Sequence, residues 1–290
     1  MEKTVGIVGL GIMGGAIAAN LLERGWAVHG HDVLPERMQA LESAGLRAMA
    51  NAAEVARHAP ILLTSLPTPA AAGQVAAEIA ASGAPSRIVA ELSTFALADK
   101  LAFGSVLEAA GHVPLDCPLS GTGAQAKTRD LIVYASGDSA TIARCQPLFA
   151  DFARQSSDLG AFGNGSRMKL VANLLVAIHN VAAAEAMTLA VRAGLDPERV
   201  VEVIGPGAGG SRMFQMRAPM MASGAYEPAT MRLSMWQKDM DIIAAFARAL
   251  DAPTPLFART APLYAEALAM GLGEKDTAAV YEVLSRQGSE

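Results

Sequence analysis

The chain is poor in cysteine, in charge and in aromatic residues, and each shortage removes a class of protein. Its 290 residues include two cysteines, Cys117 and Cys145, which offer neither a disulfide framework nor metal-ligand spacing. A small disulfide scaffold is excluded, and a reducing cytoplasm is the expected compartment. Lys and Arg number 23 against 28 Asp and Glu, for a net charge of −5. The basic excess that a phosphate-backbone binder needs is missing, so nucleic acid is not an expected partner. Charged residues make up 18% and apolar residues 52%, which excludes a disordered chain. A prior of about 150 residues per domain allows two domains, each able to bury its own core.

No membrane association is expected. Residues 5–19 follow Lys3 and superficially resemble a secretory leader, but Gly6, Gly9, Gly11, Gly14 and Gly15 would weaken a leader helix. They suit a strand, a tight turn and a helix start instead. Residues 59–77 are uncharged but are interrupted by Pro60, Pro67 and Pro69, which do not suit a spanning helix.

What is abundant is alternation. Short β-type runs at 4–8, 27–31, 61–65, 87–91, 112–116, 131–135 and 155–159 are separated by Ala-rich helical runs such as 12–24, 36–44 and 99–110, as crossover units on a parallel sheet require. The texture then changes. Residues 168–193 contain no Pro or Gly and no alternation, which predicts one long helix of about seven turns at 3.6 residues each. Further helices are expected at 197–204, 211–221, 233–250, 255–270 and 277–286. The fold class is therefore α/β: a Rossmann-like doubly wound sheet over 1–162, then an all-helical domain over 163–290 entered through a long interdomain helix.

Gly9-Leu10-Gly11-Ile12-Met13-Gly14 follows a predicted strand and opens a predicted helix. In that context Gly9 permits the tight turn, Gly11 lets the backbone approach a pyrophosphate, and Gly14 allows close helix packing, while free amides at the helix start face the anion. Asp32 lies 21 positions after Gly11, at the end of the second predicted strand, where a carboxylate accepts hydrogen bonds from the adenosine ribose. It would repel a 2′-phosphate, and the nearest downstream cation, Arg37, falls in a predicted helix after Pro35 rather than beside the strand. NAD is the expected cofactor, with NADP possible. Capping of that helix is the competing role for Asp32, and the two are compatible.

From these glycines onward the chain resembles the β-hydroxyacid dehydrogenase family over essentially its full length. The resemblance rests on GLGIMGGAIAANL (9–21), SLP (65–67), ELST (91–94), DCPLSG (116–121), GNGSRMKLVANLL (163–175) and KDMDI (238–242), in that order. It implies that Lys169 is the catalytic acid/base and that Asn173 helps place the substrate. Residues four apart share a helix face, so the two can address one small ligand. The resemblance further implies that Ser120, Gly121 and Thr122 bind the substrate carboxylate. Leu66, Pro67 and Thr94 would flank the cofactor, and Lys238 would reach the site from the helical domain. Lys238 has a plainer role available in pairing with Asp239 or Asp241.

Some positions depart from the family pattern. Thr122 stands where a second glycine is usual, Gln125 and Arg129 stand where glycine is common, and Ala172 replaces the first of two adjacent asparagines. Thr122 and Gln125 are expected to narrow the carboxylate end or add hydrogen bonds there. The five histidines show no metal-like grouping, so no metal is expected, and the methionines at 213, 216, 220, 221, 231 and 235 read as core filler.

The implied reaction is NAD(P)-dependent, reversible hydride transfer to or from a small 3-hydroxy acid of the 3-hydroxyisobutyrate kind. A positioned lysine serves as base in one direction and acid in the other. The competing readings are reduction of a semialdehyde or an imine and a dinucleotide-binding sensor without turnover. Imine reductases resembling this family generally lack the lysine at position 169. The resemblance also implies a homodimer or homotetramer.

Overall fold

A computed structural model describes residues 3–287. Six short strands, β1 (Thr4–Val8), β2 (Ala27–His31), β3 (Arg47–Ala48), β4 (Ile61–Thr64), β5 (Ile88–Glu91) and β6 (Val113–Asp116), form a parallel sheet in the order β3-β2-β1-β4-β5-β6. A second sheet holds β7 (Leu119–Ser120), β8 (Ile132–Ala135) and β9 (Gln155–Asp158), with β7 antiparallel to β8. Asp116 and Ser136 join the two sheets by exchanging backbone hydrogen bonds at 2.9 and 2.8 Å.

The strand sequences lack polar alternation because both faces of the large sheet are covered. Val5 and Ile7 of β1, Ile61 and Leu63 of β4, and Ile88 and Ala90 of β5 enter one core. It is shared with α1 (Ile12–Glu23) and, beyond α2 (Pro35–Glu42), α3 (Ala52–His58), α4 (Pro69–Ala80), α5 (Leu97–Ala109) and α6 (Gly123–Lys127), with α7 (Ser139–Phe152). Val8, Leu62 and Val89 point the other way, against Val55 of α3, Ile79 of α4, and Phe103 and Leu107 of α5. Each such buried side chain contributes about 1.5–3 kcal/mol.

The chain divides into two compact units, Met1–Lys169 and Leu170–Glu290. The division falls inside α8 (Asn164–Arg192). This helix begins four residues before the apolar run at 168, because Gly165 can enter where no other residue fits. A Cβ there would lie 2.3 Å from the Tyr134 carbonyl and 2.6 Å from that of Asp116.

The second unit is helical: α9 (Pro197–Ile204), α10 (Arg212–Ser223), α11 (Leu233–Ala249), α12 (Pro255–Ala269), a 3-10 turn (Thr277–Val280) and α13 (Tyr281–Arg286). The last two replace the single helix expected over 277–286. Leu170, Ala177 and Ala184 recur every seven residues along α8 and pack with Phe214, Trp236, Ile243, Phe257 and Tyr264. By length and a mean hydropathy of 1.7, α8 is also apolar enough to cross a membrane. One face of it enters this core, while Val171, Leu175 and Leu189 lie outside it. The two-residue strands β3 and β7 were not expected, being too short to carry a period.

Candidate active site

The glycine loop leaves β1 and turns into α1. Gly9 takes φ +90°, and a Cβ on Gly14 would lie 1.9 Å from the Gly9 carbonyl, so neither position admits a side chain. Gly11 is open: the nearest atom to a Cβ there is an Arg37 guanidinium nitrogen at 3.7 Å. No side chain caps the start of α1. Uncapped first-turn amides behind an approachable backbone suit a pyrophosphate, so these residues fit a dinucleotide.

Asp32, the residue after β2, is buried and accepts the Leu10 amide on Oδ2 at 2.7 Å and the Leu34 amide on Oδ1 at 2.9 Å. The carboxylate thus ties the glycine loop to β2. Leu34, not Asp32, occupies the cap position of α2. Arg37 corrects its sequence-based placement, since from the first turn of α2 its side chain folds back to Asp32 Oδ2 at 3.2 Å. A long side chain at that point spans the distance that the chain separation suggests it cannot.

The other expected residues of this unit gather at neighbouring strand ends. Leu66 and Pro67 follow β4, and the Leu66 amide donates to Ser93 Oγ at 2.8 Å, one residue before Thr94. Ser120 ends β7, and Gly121 and Thr122 lead into α6. Gly123, the next residue, lies where a Cβ would meet Ile12 Cγ2 at 2.3 Å, so the turn after β7 and the start of α1 are side by side. Gln125, expected to narrow the carboxylate end or add hydrogen bonds there, makes local ones. Its Oε1 accepts the Thr122 amide at 3.0 Å and its Nε2 donates to Asp130 at 3.1 Å, closing a local capping box.

Lys169 lies in the second turn of α8 and is half-buried. The helix start is pinned: the Ser166 amide and hydroxyl donate to Asp116 at 2.7 and 2.9 Å, and the Gly165 amide donates to Ser136 Oγ at 2.9 Å. In the second unit, Asn173 is buried and donates from Nδ2 to Asp239 at 3.0 Å. Lys238 pairs with Asp239 at 3.8 Å, whereas Asp241 takes Gln237 at 2.9 Å. Among the described residues no group of three or more His, Cys, Asp and Glu is placed to hold a metal ion.

Sequence reasoning passed over Ser93, Glu91, Lys100, Asp116, Ser166 and the role of Asp239 toward Asn173. Lys100 is fully buried between Glu91 and Asp116. Against burial, which alone would lower it, the two carboxylates hold its pKa above the ordinary lysine value. Burial pushes the Glu91 carboxyl up, opposed by Lys100.

Residues 4–162 match the NAD binding domain of 6-phosphogluconate dehydrogenase, and residues 163–284 match the NAD-binding region of NADP-dependent 3-hydroxyisobutyrate dehydrogenase. The chain is 32% identical to L-threonate dehydrogenase from Cupriavidus necator over 98% of its length and 96% of that protein's. It is 30% identical to 2-(hydroxymethyl)glutarate dehydrogenase from Eubacterium barkeri, covering 98% and 96% of the two chains. The solved 3-hydroxyisobutyrate dehydrogenase from Salmonella typhimurium superposes with a TM-score of 0.86 at 32% identity, covering 97% of this chain and 99% of that one. The chain belongs to the β-hydroxyacid dehydrogenase family and is an NAD(P)-dependent oxidoreductase.

Proposed function

We propose that the enzyme interconverts a small 3-hydroxy acid and its carbonyl product, with Lys169 exchanging the hydroxyl proton. The carrying observation is the anchored start of α8. Ser166 is fixed to Asp116 at the carboxyl end of β6, and this anchoring supports a role for Lys169, one helical turn on, at the strand ends where doubly wound sheets bind ligands. In oxidation the Lys169 amine accepts the hydroxyl proton, and in reduction its ammonium returns one. The dinucleotide, when bound, accepts or supplies the hydride.

Gly9 to Gly14 would hold the pyrophosphate at the start of α1, and Leu66, Pro67 and Thr94 would flank the cofactor. The Ser120 hydroxyl and the Gly121 backbone orient the substrate carboxylate. Thr122 shapes the turn, its amide being engaged by Gln125. Asn173, with Asp239 fixing its amide, aligns the substrate hydroxyl, and Lys238 extends that arrangement. Asp32 favours NAD, because a 2′-phosphate would meet its carboxylate.

The relatives named for L-threonate and 2-(hydroxymethyl)glutarate support a hydroxy-acid substrate. The test is a panel of 3-hydroxy acids and the corresponding semialdehydes, each with NAD and NADP, read by absorbance of the reduced nicotinamide. Turnover of none of them defeats the reading and favours a dinucleotide sensor. A cytoplasmic location accords with two buried thiols that are not joined. A homodimer or homotetramer accords with Val171, Leu175 and Leu189, which α8 leaves 53%, 47% and 72% exposed.

A further inference from the structure

Lys100 ends the first turn of α5 with its side chain fully enclosed. Its ammonium contacts Glu91 Oε2, lies 3.1 Å from Asp116 Oδ1 and donates to the Glu91 carbonyl at 3.3 Å. Three charged groups without solvent are costly to desolvate, and such clusters often stabilise no more than apolar residues of the same shape. Stability is therefore a poor account of the arrangement.

Its connections give a better one. On one side, Glu91 Oε1 accepts the Ser93 amide at 2.9 Å, and Ser93 Oγ accepts the Leu66 amide at 2.8 Å. On the other, Asp116 accepts the Ser166 amide and hydroxyl at 2.7 and 2.9 Å. An unbroken polar chain thus runs from the loop after β4 to the first turn of α8, and Lys100 is the joint where Glu91 meets Asp116.

We propose that Lys100 is a positioning residue for the hydride-transfer reaction: clamped between Glu91 and Asp116, it fixes the Leu66 loop against the first turn of α8 and thereby places Lys169. This rests on the assignment of Lys169 as the acid/base. Small displacements of a reacting group are expensive, about 10²-fold in rate for 1 Å, so a rigid buried joint has a kinetic purpose that its stability does not reveal.

Lys100→Met alone strands two buried carboxylates and is expected to fold poorly. The decisive variant is Glu91→Gln combined with Lys100→Met, which removes the pair together while Asp116 keeps Ser166 and Ser136. Its melting temperature should fall less than that of Lys100→Met, since one buried carboxylate rather than two loses its cation, with kcat on the best substrate lowered ~10-fold or more, KM little changed, and faster amide hydrogen exchange at Leu66 and Ser166. A purely structural role predicts normal kcat in the molecules that fold. Wild-type kcat together with wild-type exchange at those two amides overturns the inference. Should the double variant not fold, Ser166→Ala replaces it: kcat must fall at near-normal stability, and an unchanged kcat is equally fatal. Lys169→Ala, assayed alongside, separates the two readings. If it keeps turnover, the acid/base assignment fails and the exchange data alone judge the coupling. If it is inactive while the double variant turns over normally, only the positioning role fails.

Discussion

Lys169 and Asn173 stand one helical turn apart, and their replacement should damage the enzyme in different ways. Lys169→Ala should lower turnover by ~10²-fold or more, the low end for a positioned acid/base, with dinucleotide affinity nearly unchanged. Lys169→Arg should not rescue, since a guanidinium cannot act as the base in oxidation. Asn173→Ala should raise KM as well as slow turnover, because the amide aligns but carries no titrating proton. Steady-state kinetics on the best substrate check the ordering, and normal turnover by a folded Lys169→Ala defeats the mechanism. Asp32→Ala is expected to weaken NAD by more than a ribose contact would, because the variant also releases the Leu10 amide, and to free Arg37 for a 2′-phosphate. NAD and NADP dissociation constants that do not converge in the variant would refute that. Arg129 holds φ +60°, which costs a residue bearing a side chain roughly 1–2 kcal/mol. Its exposed ion pair with Glu23 at 3.4 Å offsets about 0–1 kcal/mol of this. Arg129→Gly should therefore leave the denaturant midpoint unchanged or raise it, and a clear drop would contradict the argument.

Among elements, those with an apolar run or a helical period were legible before any coordinates. Strands β1 and β2 match the expected limits, and β4, β5, β6, β8 and β9 fall within one residue of them at each end. Missing were β3 and β7, which pair through two residues each and owe their existence to neighbours rather than to their own sequence. Lys100 left a trace that was overlooked: with Phe103, Gly104 and Leu107 it occupies the buried stripe of α5 at i, i+3, i+4 and i+7, where a charge must find partners. The start of α8 was hidden for the opposite reason, since Gly163 and Gly165 read as helix breakers. Gly165→Ala should force the helix start away from the carbonyls of Tyr134 and Asp116 and cost about 1–3 kcal/mol as overpacking. Thermal melts check the cost, and a Tm equal to wild type would show that the contact is looser than the geometry requires.

At the scale of the whole molecule, stability should depend on pH through His29. That ring is buried in β2, stacked on His58 with centroids 5.4 Å apart. Burial first, then Arg47 and His58, lower its pKa from 6.5. The unfolded chain then binds a proton more readily than the native one, so this contribution is intact above about pH 6.5 and is lost as pH falls below that value. Melting curves between neutral pH and pH 5 should shift downward on acidification. A His29→Gln variant should shift less, and equal slopes would dismiss the histidine. Light scattering on dilution should show a dimer or tetramer, and an active monomer would defeat the proposed assembly. The succession of an α/β part and a helical part was readable in the change of texture after Gly165, whereas the site's internal wiring was not, because hydrogen bonds between residues dozens of positions apart leave no periodic mark.

The continuity of α8 also determines how the chain can be cut. A protease needs several residues of extended, unpaired backbone, and the division between the compact units falls between Lys169 and Leu170, within hydrogen-bonded helix. The nearest irregular stretch is 160–163, before the helix begins. Cleavage there would send Lys169 away with the C-terminal fragment while Ser120, Asp116 and the glycine loop stayed with the other. A nicked and separated sample should therefore yield two fragments, neither able to oxidise a hydroxy acid, with dinucleotide binding retained by the N-terminal piece alone.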